Sequence, residues 1–168
     1  MIGSEVLALE PFLRGGAFAG VLMLMIAAES LWPRRARVRP RARRWFANGA
    51  LVAAGTLVAR FMAAAPAPLS AVAAAVWADA AGFGLFRWLG FTGWPAIIAA
   101  LLALDLIVWA QHWAFHHVPW LWRFHRVHHA DRDIDATTAL RFHPLEIALS
   151  VLIKAGSVLA LGAPVAAV

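Results

Sequence analysis

Four long apolar stretches, at about residues 11–32, 45–65, 93–111 and 145–168, constrain this chain more than any other feature. About 20 apolar residues wound as an α-helix at 1.5 Å per residue cover the ~30 Å hydrocarbon layer of a bilayer. A helix also satisfies its own backbone hydrogen bonds there. The expectation is an all-α integral membrane bundle, a single membrane domain over residues 1–168. A 62% share of hydrophobic residues and a mean hydropathy of +0.72 agree, being far above the range of soluble domains. Residues 69–91 are apolar but interrupted by Asp79, Gly82, Gly84 and Arg87, and read as a re-entrant or interfacial segment. Glu5 and Glu10 stand where a basic leader would be expected, so the first stretch is expected to stay in the protein as a span.

The charge is uneven. Between Pro33 and Arg44 lie Arg34, Arg35, Arg37, Arg39, Arg41, Arg43 and Arg44, with no acidic residue among them. A net charge of +6 in a soluble chain would point to nucleic acid. Between two spans it points to an anionic membrane face, so no nucleic-acid partner is expected. The positive-inside rule puts this segment on the cytoplasmic side. Alternating the spans brings residues 112–144 to that side too, with Arg123, Arg126, Arg132 and Arg141. Cysteine is absent, which excludes disulfides, thiolate zinc sites, iron–sulfur clusters and cysteine nucleophiles.

All seven histidines fall between residues 112 and 143. His112 and His116 are four apart, and His125, His128 and His129 stand at i, i+3 and i+4, so each group shares one helix face. Neutral imidazole suits iron, copper, nickel or zinc. Five imidazoles exceed what one tetrahedral zinc takes, which argues for two metals in a shared pocket. Asp105, two turns before His112, is a candidate to hydrogen-bond a ligand's second ring nitrogen. His117 points ~100° away from His116 and is expected to pack at the interface. His143, before Pro144, is open between a ligand, an outer hydrogen-bond donor and a helix cap. No His-Glu-x-x-His pair, Gly-x-Ser-x-Gly elbow or Gly-rich phosphate loop is present. A bis-His haem cytochrome would need histidines on two facing spans, and here they cluster after one.

Gln-His-x-x-x-His at 111–116, Leu-Trp-Arg-Phe-His-Arg-Val-His-His at 121–129 and Asp-x-Thr-Thr-x-x-Arg-Phe-His-Pro-x-Glu at 135–146 resemble the fatty acid hydroxylase and sterol desaturase superfamily of membrane oxygenases. Trp-Pro-Arg-Arg at 32–35 and Arg-Arg-Trp-Phe-Ala-Asn at 43–48 look like its bacterial branch. The resemblance implies two irons in a cytoplasmic cap on the bacterial inner membrane and an electron-donor redox protein. It also implies O2-dependent hydroxylation or desaturation of a lipid such as a fatty acid or sterol. By resemblance, His112 and His116 form one ligand box and His125, His128 and His129 the next. Family members carry a further His-x-x-His-His box beyond the fourth span, and this sequence has none after residue 143. Trp113 stands where an Arg is common, and Ala110 where an aromatic is common. The expectation is a C-terminally truncated chain that alone binds iron weakly and turns over poorly. A catalytically inactive membrane protein with a vestigial metal cap is the alternative.

Overall fold

The computed structural model describes residues 2–36 and 38–168, with side chains from Phe12 onward except Arg14. Arg37 of the basic run lies outside the described residues. The described residues are helical and contain no strand. Seven α-helices follow in order: α1 (Ile2–Leu31), α2 (Arg41–Ala63), α3 (Ala71–Ala81), α4 (Leu85–Trp88), α5 (Gly93–His117), α6 (Pro119–His129) and α7 (Pro144–Leu161). Short 3-10 turns occupy Ala136–Leu140 and Val165–Ala167. Three of the helices, α2, α5 and α7, are long and apolar enough to cross a membrane. Among the residues of α1 with described side chains, the apolar stretch is Gly15–Leu31.

Several boundaries differ from those read in the sequence, for local reasons. The helix expected over 93–111 continues to His117, because nothing between Gln111 and His117 breaks it; Pro119 then opens α6 at its first turn, where a missing N–H costs nothing. The last stretch is helical only to Leu161, where Gly162 adopts a left-handed cap at φ 63°. Residues 69–91 form two short helices. At 11 residues, α3 spans only ~16 Å, too little for a crossing. Ser70 caps its start by accepting from the Ala73 N–H, and Gly82 ends it.

The contacts group the chain into two compact units. One contains residues 1–49 and 131–141. The other contains residues 50–130 and 142–168.

In the first unit, the segment Asp131–Arg141 is tied to the start of α2. The Arg44 guanidinium donates to both Asp131 oxygens at 2.9 Å, pairs with Asp135 Oδ2 at 3.0 Å and donates to the Asp133 carbonyl. The Asn48 amide donates to Thr137 Oγ1 at 2.9 Å and accepts from Arg141 Nη1 at 3.0 Å. Asp135 and Thr138 form a capping box on the 3-10 turn. Asp133 receives the backbone N–H groups of Val38 and Arg39. Burial alone would raise the Asp131 carboxyl. Hydrogen bonds from Arg44, Thr138 and the Asp133 N–H instead bring it down to about 2.

In the second unit, α7 packs against α3, α4, α5 and α6. Its core holds Ala74 and Ala75 of α3, Ala100 and Leu104 of α5, and Ala155 and Val158 of α7. Small side chains at the contact let helix backbones approach closely. At Gly84 an added Cβ would lie 2.3 Å from Gly162 Cα, so the two backbones meet there with no room for a side chain. Leu101, Leu102, Leu106 and Trp109 of α5 stay exposed, as suits a helix facing lipid.

Candidate metal centre

Local sequence brings five histidines together. The i, i+4 spacing places His112 and His116 on one face of the last turns of α5, with ring centroids 4.8 Å apart. Val118 and Pro119 turn the chain into α6, which packs back on α5. His125 then lies 4.9 Å from the His112 ring and 4.8 Å from the His116 ring, centroid to centroid. One ligand nitrogen from each of these three rings lies within 4.8 Å of the others. His129 joins them, its Nε2 standing 3.2 Å from His125 Nε2 and its ring 4.9 Å from that of His116. The His128 ring lies 5.6 Å from His125 and 5.0 Å from His129.

The cluster has a buried floor and an open mouth. His125 is fully buried and stacks on buried Phe115 at 5.5 Å, while His112, His116 and His129 are exposed. Trp122 lies against His116 and His129. Phe142 stacks almost parallel on His128 at 4.9 Å. Gln111, next to the first histidine, donates to Ser150 of α7 at 2.7 Å and helps fix the end of α5.

One group that the spacing of the histidines does not reveal is Glu146. It is buried in the first turn of α7. His125 Nδ1–H donates to its Oε1 at 2.7 Å. That bond selects the His125 tautomer with a bare Nε2, and Nε2 is the atom that faces His129. The signal was present in the Arg-Phe-His-Pro-x-Glu run, where Pro144 starts a helix and puts Glu146 in its first turn.

Asp105, the carboxylate singled out by spacing, stays exposed on α5. Two turns of helix separate it from His112 by ~10 Å along the axis, beyond hydrogen-bond reach. His143 is not brought into the group either. It caps α7, its Nδ1 accepting from the Leu145 N–H at 3.1 Å, and its ring packs on Phe124. His117 is turned away, stacked on Trp113 at 4.2 Å with its Nδ1 2.7 Å from the Trp113 carbonyl.

The electrostatics favour neutral rings. Burial lowers the His125 pKa, and repulsion from His112 and His128 lowers it further. Burial also lowers that of His129, with His125 and its other histidine neighbours adding to the effect. A neutral imidazole offers a lone pair to a cation. The donor set fits a metal on a second count. His128 Nδ1 and Glu146 Oε2 are buried without a hydrogen-bond partner among the described residues, and unpaired buried polar atoms are costly unless something completes them.

The family model described as fatty acid hydroxylase matches residues 97–168. Over this segment the chain is similar to fatty acid hydroxylase domains. The match takes in most of α5, all of α6 and α7, and with them every histidine and Glu146, and it supports the fatty acid hydroxylase and sterol desaturase superfamily. Comparisons with curated proteins and with solved structures gave no match. The matched family is one of hydroxylase-type enzymes, and three helices of the chain are long and apolar enough to cross a membrane.

Proposed function

We propose that the chain is a membrane-bound non-haem di-iron oxidoreductase that hydroxylates or desaturates a lipid with dioxygen. The observation that carries this reading is the convergence of His112, His116 and His125, with ligand atoms within 4.8 Å of one another, at the end of an apolar helix. His112, His116, His125, His128 and His129 would hold the metal. Bound iron would supply electrons to dioxygen, which a closed-shell ion cannot do. In hydroxylation one oxygen atom enters the C–H bond and the other leaves as water. A separate redox protein provides the two electrons, and the solvent provides two protons.

The residues of the chain set the geometry. Glu146 holds the His125 ring through Nδ1 and leaves Nε2 for the metal. Phe115 and Trp122 wall the rings with apolar surface and keep water from one side. The open mouth at His112, His116 and His129 leaves room for substrate. Because the rings sit where the exposed apolar face of α5 ends, a lipid chain lying along that face reaches them from the bilayer. Arg123 and Arg126 on α6 favour the cytoplasmic side of a bacterial inner membrane, where an electron donor has access.

The test is single-turnover chemistry on the purified, iron-loaded protein with a chemical or protein reductant and a total lipid extract under 18O2. The expected result is a low yield, well under one product per chain, of lipid carrying one 18O atom or one new double bond, and its disappearance in His125→Ala. Iron bound by the histidines with no oxidised lipid after reduction and oxygenation would overturn the oxygenase reading.

A further inference from the structure

We propose that the first unit contains a binding site for the phosphate-bearing headgroup of an acidic phospholipid. The site is a cavity of about 650 Å3, lined by residues 29–36, 38, 44 and 132–135 in part, and built entirely within that unit. Its volume is in the range of pockets that hold small organic ligands.

The charge balance of the wall decides the class of ligand. Glu29, Asp133 and Asp135 face the cavity but are already engaged. Glu29 accepts from the Ala136 N–H, Asp133 from the Val38 and Arg39 N–H groups, and Asp135 from Thr137 and Trp45. Arg34, Arg35 and Arg132 line the same cavity, and no hydrogen bond or ion pair commits them to another described residue. Arg44 adds a second, independent sign. It is 5% exposed and lines the cavity, and its Nη1 is buried with no hydrogen-bond partner among the described residues although Nε and Nη2 are fully used. A wall of engaged carboxylates and free guanidiniums selects an anion. Planar guanidinium forks match phosphate oxygens in pairs.

The position of the cavity decides between a lipid and a soluble anion. The apolar stretch Gly15–Leu31 runs directly into it. Trp32, Val38 and Ile134 stand on its rim with 77%, 73% and 84% of their surface exposed. Tryptophan and aliphatic side chains beside arginines form a headgroup-depth arrangement, with the rings and alkyl groups in the acyl boundary and the charges on the phosphates. Phosphate in free solution would need no such apolar rim.

The experiment titrates the purified full chain in a neutral detergent with three probes, read by calorimetry. They are short-chain phosphatidylglycerol, phosphatidylcholine of the same acyl length, and inorganic phosphate. Phosphatidylglycerol should bind about tenfold more tightly than phosphatidylcholine. Arg34→Gln/Arg132→Gln should erase that preference, and Arg34→Lys/Arg132→Lys should retain part of it. Arg60→Gln/Arg87→Gln, which removes the same charge outside the cavity, should leave it intact. Both arginines of the first pair are exposed and unbonded, so the fold should survive; an unchanged unfolding temperature verifies this. Equal binding of the two lipids, or equal losses in the two Gln pairs, would overturn the site. Inorganic phosphate binding as tightly as phosphatidylglycerol, with the same arginine dependence, would overturn the lipid assignment.

Discussion

The two units use buried polar groups in opposite ways. Around Arg44, opposite charges meet: three aspartates, two threonines and an asparagine consume one another's donors and acceptors. Around His125, like groups meet: five imidazoles stand ring to ring with one carboxylate behind them. The first arrangement is closed by protein groups except at Arg44 Nη1, and its bonds tie the 131–141 segment to α2. The second leaves His128 Nδ1 and Glu146 Oε2 without partners among the described residues, and His125 Nε2 faces His129 Nε2. The orphan atoms at the histidines are acceptors that a cation would complete, whereas the one at Arg44 is a donor that an anion would complete.

The largest loss of stability follows removal of Arg44. Arg44→Ala leaves Asp131 and Asp135 buried without their counter-charge, a loss of about 3–5 kcal/mol. The expected outcome is a large drop in unfolding temperature in detergent, measured by circular dichroism. A change of less than about 1 kcal/mol would mean that the clamp is ornamental.

The next effect belongs to the histidines. Cobalt(II) added to the intact chain should produce ligand-field bands, and at about 100 times its dissociation constant should stabilise the fold by about 2.7 kcal/mol. His125→Ala and His116→Ala should each abolish both responses, and the stabilisation should vanish with a chelator. His143→Ala should keep the bands, because His143 serves as the α7 cap. Loss of the bands in His143→Ala would draw it into the ligand set.

Much of this contrast could be read in the sequence, and the unread part has a physical cause. The i, i+4 and i, i+3, i+4 spacings fix which histidines share a face whatever the tertiary packing. For that reason His112, His116, His125, His128 and His129 meet as their spacing implies. Long-range partners carry no such periodicity. Arg44 and Asp131 are 87 residues apart, and His125 and Glu146 are 21 apart. Seen as sequence, Arg-Arg-Trp-Phe-Ala-Asn at 43–48 and Asp-x-Thr-Thr-x-x-Arg at 135–141 are two unconnected motifs; folded, they are the two halves of one clamp. Asp105 illustrates the opposite error. Its spacing puts it on the right face of α5, but face alone ignores the rise of the helix.

Glu146 is a buried acid whose partner is a histidine of the proposed metal centre and not an arginine. Glu146→Gln keeps the shape but weakens the hold on the His125 Nδ1–H. Metal affinity should fall about 10- to 100-fold, and Glu146→Asp should recover part of it. The titration of cobalt bands gives the number. Unchanged affinity in Glu146→Gln would show that the bond packs α7 without orienting the ring.

The smallest effect is on pH, and it assigns each unit its own window. His125 and His129 titrate below the usual imidazole value in the folded metal-free protein, so the unfolded chain binds more protons as the pH drops. Stability should therefore decline from about pH 6.5 downward. Asp131 has the opposite chemistry, a carboxyl held at about 2 against 3.8 when free. Its contribution is complete above about pH 4 and is lost as the pH falls toward 2. Metal-free protein should thus weaken in two steps, the first reduced in His125→Gln and the second in Asp131→Asn. Unfolding temperatures measured from pH 8 to pH 2 would resolve them. A single step shared by both variants would show that the clamp and the histidines do not stabilise the fold separately.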